Sequence, residues 1–197
     1  MVTRFGWWSV FVLSAGLCFT LARPAAAAAS FTLTPDQRDA AIRLGRQSVI
    51  SEEFGGEWKV GGDGAGQTLV VVTPFHRLAL AARNSAFKSE ELKQKDIDAL
   101  SKDQEGNLTL WATLKGGKAD FARFYAPVLV RGQQEIKATF VQNERTARRE
   151  DDGSFTARCM YVFPTDKLNA RDTVTLIVKN SESQPVAKFT ADLSAMR

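Results

Sequence analysis

The sequence predicts an α+β protein: an antiparallel, immunoglobulin-like β-sandwich body with N-terminal helices packed on it. Three observations predict this. Between Ser154 and Leu193, three runs alternate apolar and polar residues with a period of two, the mark of strands with one buried and one wet face. Antiparallel sheets read this way, whereas parallel sheets usually do not. From about residue 108 onward, turn signals separate short strand candidates, as in a sandwich. Helix-start signals fall only in the N-terminal half. The cysteine–tryptophan–cysteine framework of a true immunoglobulin domain is absent, so the likeness is architectural and assigns no function.

The first 29 residues read as a cleaved signal peptide, outside the fold. Arg4 supplies a positive start, Trp7 to Ala22 is an uncharged run of 16 residues, and Arg23-Pro24 ends it. A membrane-spanning helix needs about 20 apolar residues. The small residues Ala25 to Ala29 suit a signal peptidase, with cleavage expected near Ala27 to Ala29. Leu17 precedes Cys18, where a lipoprotein signal wants a small residue. Residues 30–197 then form a single exported domain, long enough for one sizeable core.

Thr34-Pro35-Asp36-Gln37 joins a capping-box pattern to proline at the first helical position, which predicts a helix over Phe31 to Phe54. Ala41, Leu44 and Ser48 form only a narrow stripe, with Ile42 and Val49 beside it, and Gly45 weakens it, so the helix must lean on the sheet. Gly55-Gly56 ends it, and Glu57 to Val60 is a short strand candidate. The loop Gly61 to Gly66 reads as a turn, because no Lys-Ser/Thr pair or helix follows to make a phosphate cradle. Thr68 to Val72 is a continuous apolar strand, read as central. Thr73-Pro74 starts a second helix, to about Phe87. Lys88 to Asp103 is highly charged and reads as a surface helix over one edge of the sheet.

In the next strand Leu108, Leu110, Ala112 and Leu114 point inward, leaving Trp111 on the other face. Gly116-Gly117 breaks it. Phe121 to Tyr125 leads to a strand at Val128 to Val130, and Arg131 to Gln134 is a hairpin turn. Ile136, Ala138 and Phe140 alternate as one returning strand. Asp152-Gly153 is a strong turn signal before the three C-terminal runs, read together as the sheet on which the rest packs. The count is about eight strands.

Without Arg4 and Arg23, the chain carries 24 basic and 22 acidic residues, a net charge of +2. So small a charge gives little reason to expect nucleic acid or anionic lipid as a partner. One cysteine remains, Cys159, so no intramolecular disulfide can form despite export to an oxidising compartment. Strand alternation places it inward, as a small buried hydrophobe. His76 is the only histidine. One histidine and one cysteine fall short of the three or four ligands of a usual zinc site, and no cofactor is implied. Adjacent acids such as Glu90-Glu91 read as solvated surface rather than a glycosidase pair.

Four aromatics stand out as candidate partner-binding residues: Trp111, Phe121, Phe124 and Tyr125. Aromatics are enriched in interface cores, but the blander expectation is that the N-terminal helices cover this face as a second core. Weaker candidates are His76 and the cluster Arg145, Arg148 and Arg149. His76 reads as a partly exposed first-turn residue and the arginines as a salt-bridged hairpin tip. The sequence expectation is therefore an exported, soluble periplasmic or extracellular protein of the bacterial envelope. Its role reads as non-catalytic binding or assembly, through contact with another envelope protein. The alternatives are a small secreted hydrolase using His76, or a carrier of a small apolar ligand held between helices and sheet.

Overall fold

The computed structural model describes residues 31–64 and 66–197; the expected signal peptide, residues 1–29, lies outside them. The fold is α+β, with three α-helices and two antiparallel sheets. Among the described residues no helix is long and apolar enough to cross a membrane.

Helix α1 spans Pro35–Gln47. Its start follows the predicted box: the Thr34 hydroxyl accepts from the Gln37 N–H at 3.3 Å, and the Gln37 side chain accepts from the Thr34 N–H at 2.9 Å. It ends well before the expected Phe54. The guanidinium of Arg83, on helix α2 (Pro74–Phe87), takes the carbonyls of Ser48 and Ser51 at 3.1 Å and of Val49 at 3.4 Å. The carbonyls of Leu44 and Gly45 in the last turn accept from the Ser48 N–H; those held by Arg83 lie just beyond the helix, so a side chain distant in sequence fixes the non-helical segment that follows α1. Helix α3 covers only Gln94–Asp103 of the expected 88–103; Ser89 at φ 58° turns the chain before it.

The first sheet (sheet I) runs β1-β2-β3-β8-β6, with β1 Lys59–Gly61, β2 Thr68–Val72, β3 Asn107–Gly116, β8 Phe155–Pro164 and β6 Phe140–Gln142. The two-residue strand β7 (Arg148–Arg149) also pairs with β8. Strand β2 is paired on both sides, but β3 holds the middle of the sheet. The second sheet (sheet II) runs β10-β9-β4-β5, with β10 Pro185–Asp192, β9 Thr173–Lys179, β4 Ala126–Arg131 and β5 Gln134–Lys137. The inward residues of both sheets belong to one apolar cluster, joining Leu108, Leu110, Tyr161 and Phe163 to Leu129, Leu176, Val178 and Phe189. Each large apolar side chain buried there contributes about 1.5–3 kcal/mol.

Two expectations need correction. The three C-terminal runs do not share a sheet: β8 pairs with β3 in sheet I, while β9 and β10 pair in sheet II. The returning strand through Ile136, Ala138 and Phe140 is two strands, β5 and β6, in different sheets. The chain crosses at Thr139, whose N–H donates to the Val162 carbonyl at 2.8 Å. The crossing resets the alternation, so Phe140 does not join the core and is 48% exposed. On the opposite edge Asp63 ties the sheets together. Its N–H donates to the Lys188 carbonyl at 3.2 Å, and its carboxylate accepts from the Lys188 N–H at 3.1 Å.

Candidate functional site

The outward residues of sheet I fall into register across its strands. Val72, Thr109, Val162 and Phe140 form one row, and Val70, Trp111, Met160 and Gln142 the next. Thr68, Thr113 and Arg158 form a third. The middle of this face is therefore apolar, although an outward face of an antiparallel sheet is ordinarily polar. Helix α2 overhangs one side through His76, Arg77 and Leu80, with Asp103 of α3 beside it, making a trough of about 680 Å³. That volume lies in the range of small-molecule sites, about 300–1,000 Å³. Trp111 on its floor is 44% exposed. The favoured expectation that the helices cover Trp111 as a second core is thus corrected: they rim this face and leave it open.

The polar groups of the trough sit at its margins. Arg77 pairs with Asp103 at 3.2 Å. Arg158 lines the far end, and among the described residues its guanidinium enters none of the ion pairs. Its backbone N–H donates to the Glu144 carboxylate at 2.6 Å.

His76 is 6% exposed, which corrects the expectation of a partly exposed residue. Its ring stacks on Trp58 with centroids 4.3 Å apart and planes 6° from parallel. Nδ1 lies 3.3 Å from the Val71 carbonyl, a contact that requires the proton on Nδ1. Desolvation holds the imidazole pKa below its ordinary value, against smaller opposing effects of the Val71 hydrogen bond and Glu57. Trp58 and Thr73, both buried, each donate to the Arg197 carbonyl, at 2.8 and 2.5 Å. Thr73 also caps α2 by accepting from the His76 N–H at 3.1 Å. A dyad of His76 with Cys159 fails on geometry. Cys159 is a buried free thiol on the inner face of β8, while His76 lines the outer side of the same sheet. Burial pushes the Cys159 thiol pKa up, against nucleophilic use.

The other aromatic candidates lie in the connection from β3 to β4 and do not share the trough. Phe121 and Tyr125 meet edge to face at 5.8 Å and pack against the core, while Phe124 is 70% exposed. The Asn143 amide ties this connection down by donating to the Tyr125 carbonyl at 2.7 Å and accepting from the Tyr161 hydroxyl at 3.2 Å. Of the arginine cluster, Arg148 pairs with Glu150 at 2.9 Å. Arg145 and Arg149 are exposed and enter none of the ion pairs among the described residues.

No family model matches the chain, and no curated protein does. Among solved structures it is similar to a protein of unknown function from Burkholderia pseudomallei K96243, with 10% identity, 83% of this chain and 92% of that chain covered, and a TM-score of 0.41.

The sequence places Trp111 on an outward face but does not single out Val70, Met160, Val162, Leu80 and Arg158, which line the same trough. The period of two already sends Met160, Val162 and Arg158 outward. What the sequence lacks is the pairing of β2, β3 and β8, which sets those side chains beside Trp111.

Proposed function

We propose that this protein is a non-catalytic binding or assembly module of the bacterial cell envelope, exported and freed by cleavage near Ala27 to Ala29. It works by contact with another envelope protein through the outer face of sheet I. One observation supports this above the others: Trp111 stands half-exposed at the centre of an apolar, concave sheet face. Aromatics flanked by polar margins are the usual anchors of protein contacts. An immunoglobulin-like reading of the two-sheet body suits the role, since a shared core gives such a face a rigid backing.

A second reading is that the trough carries a small apolar ligand. Its favouring observation is the overhang of α2 through His76 and Leu80, which makes the face concave rather than flat. A hydrolase using His76 gains no support from a ring stacked on Trp58 and bonded to a backbone carbonyl.

The test is retention of a defined partner from native envelope extract by the purified mature protein. Trp111→Ala is expected to abolish retention while staying folded by circular dichroism, and Phe124→Ala to keep it. A partner held equally by Trp111→Ala and wild type overturns the proposal.

A further inference from the structure

We propose that the trough on sheet I binds a free single-chain alkyl carboxylate, its chain on Trp111, Met160 and Val162 and its carboxylate on Arg158. The inference rests on the trough being the binding site and deepens the carrier reading. Charge complementarity selects the ligand. The floor is apolar, and Arg158 brings a cation to one end that is in none of the ion pairs among the described residues. The other charges on the trough, Arg77 and Asp103, neutralise each other. The Glu144 carboxylate accepts from the backbone N–H of Arg158 rather than forming an ion pair with its guanidinium.

Length fits as well. Arg158 and Val162 face the same way on β8, four residues apart, which is about 13 Å of strand. That span matches a medium-length alkyl chain lying along β8, with its tail under the Leu80 overhang. Met160 stands directly opposite Trp111 in the β3–β8 register. A thioether beside an indole forms an adaptable surface for such a chain. A bilayer surface fits less well, because the site is a narrow concavity beside a helix and the net charge of residues 30–197 is only +2.

The experiment reads Trp111 fluorescence in the full mature domain, titrated with dodecanoate and with dodecanol below their micelle-forming concentrations. Trp58 is the other tryptophan of residues 30–197 and is buried; Trp111→Phe isolates its signal. The expected result is saturable binding of dodecanoate, with dodecanol weaker. Arg158→Gln should cost dodecanoate about threefold to tenfold in affinity and leave dodecanol unchanged. Equal affinities for the two probes, or no effect of Arg158→Gln on dodecanoate, overturn the assignment of the carboxylate. Absence of binding by either probe overturns the ligand proposal. If Trp111→Ala still loses a protein partner in that case, the binding-face reading stands without it. Fluorescence changes with anionic vesicles but not with free dodecanoate would replace the ligand by a membrane surface and also refute the proposal.

Discussion

Gly45 gives the sharpest stability prediction, because two effects of known size oppose each other there. Gly45 lies in the last turn of α1, where alanine is favoured over glycine by about 1 kcal/mol. Propensity alone therefore predicts that Gly45→Ala stabilises. The packing says otherwise. A β-carbon at Gly45 would run into the Ala79 carbonyl oxygen and lie 2.8 Å from Ala82 Cβ and 2.9 Å from the Arg83 N. All three neighbours belong to α2, two are backbone atoms, and none can swing aside as a long side chain would. The helices must separate, and overpacking of this kind costs about 1–3 kcal/mol. It would also draw Arg83 from the carbonyls of Ser48 to Ser51 that it gathers. Overpacking less the propensity gain leaves a loss of about 0–2 kcal/mol, and the disturbed Arg83 contacts put the expectation in the upper half of that range, about 1–2 kcal/mol, which in a domain of this size lowers Tm by about 2–8 °C. Thermal unfolding followed by circular dichroism measures it. Gly56→Ala is the control: nothing lies within 4 Å of its β-carbon position, so its Tm should hardly move. A Gly45→Ala protein as stable as wild type, or more so, refutes the close helix contact.

Three further outcomes follow from the same geometry. Thr73→Val removes the cap of α2 and a buried donor to the Arg197 carbonyl; each is worth about 1 kcal/mol, so chemical denaturation should show a loss of about 2 kcal/mol, and an unchanged midpoint would contradict the Arg197 anchor. His76, with its folded pKa depressed by burial, makes the unfolded chain the better proton binder once pH falls below about 6.5. Unfolding free energy should thus be flat above that pH and decline below it until the folded-state pKa is passed, and His76→Phe should flatten this window; a wild-type curve that rises on acidification would be inconsistent with a buried neutral ring. Trp111→Ala removes a half-exposed side chain from a face that faces solvent, so it should alter stability by no more than about 1 kcal/mol while abolishing partner retention.

The sequence was most legible where one local rule decided the structure. The capping box at Thr34 and the proline at the start of α2 set both helix starts, and period-two alternation set the faces of β3, β8, β9 and β10. It misled where a distant group decides. The non-helical course of the chain after α1 is held by Arg83, more than thirty residues away, and at the split of β5 from β6 the Thr139 N–H finds the Val162 carbonyl. The site shows the same limit. Trp111 faced outward by alternation alone, but whether helices covered it was a question of where α2 packs. Helix α2 commits itself to α1 through Gly45, Ala79 and Ala82, and the trough beside it stays open. The burial of His76 is beyond local rules for a related reason: Trp58, a residue outside its own helix, stacks on it.

On the proposed function, the outer face of sheet I is the surface through which this protein binds. Site-specific photo-crosslinking tests it most directly: a benzoylphenylalanine at position 111 in cells, compared with one at position 190 on the outer face of sheet II, where Thr190 is exposed. The account predicts a discrete adduct from position 111, identified by mass spectrometry as a protein or a small ligand, and none from position 190. Equal labelling at the two positions, or an adduct from position 190 alone, would contradict it.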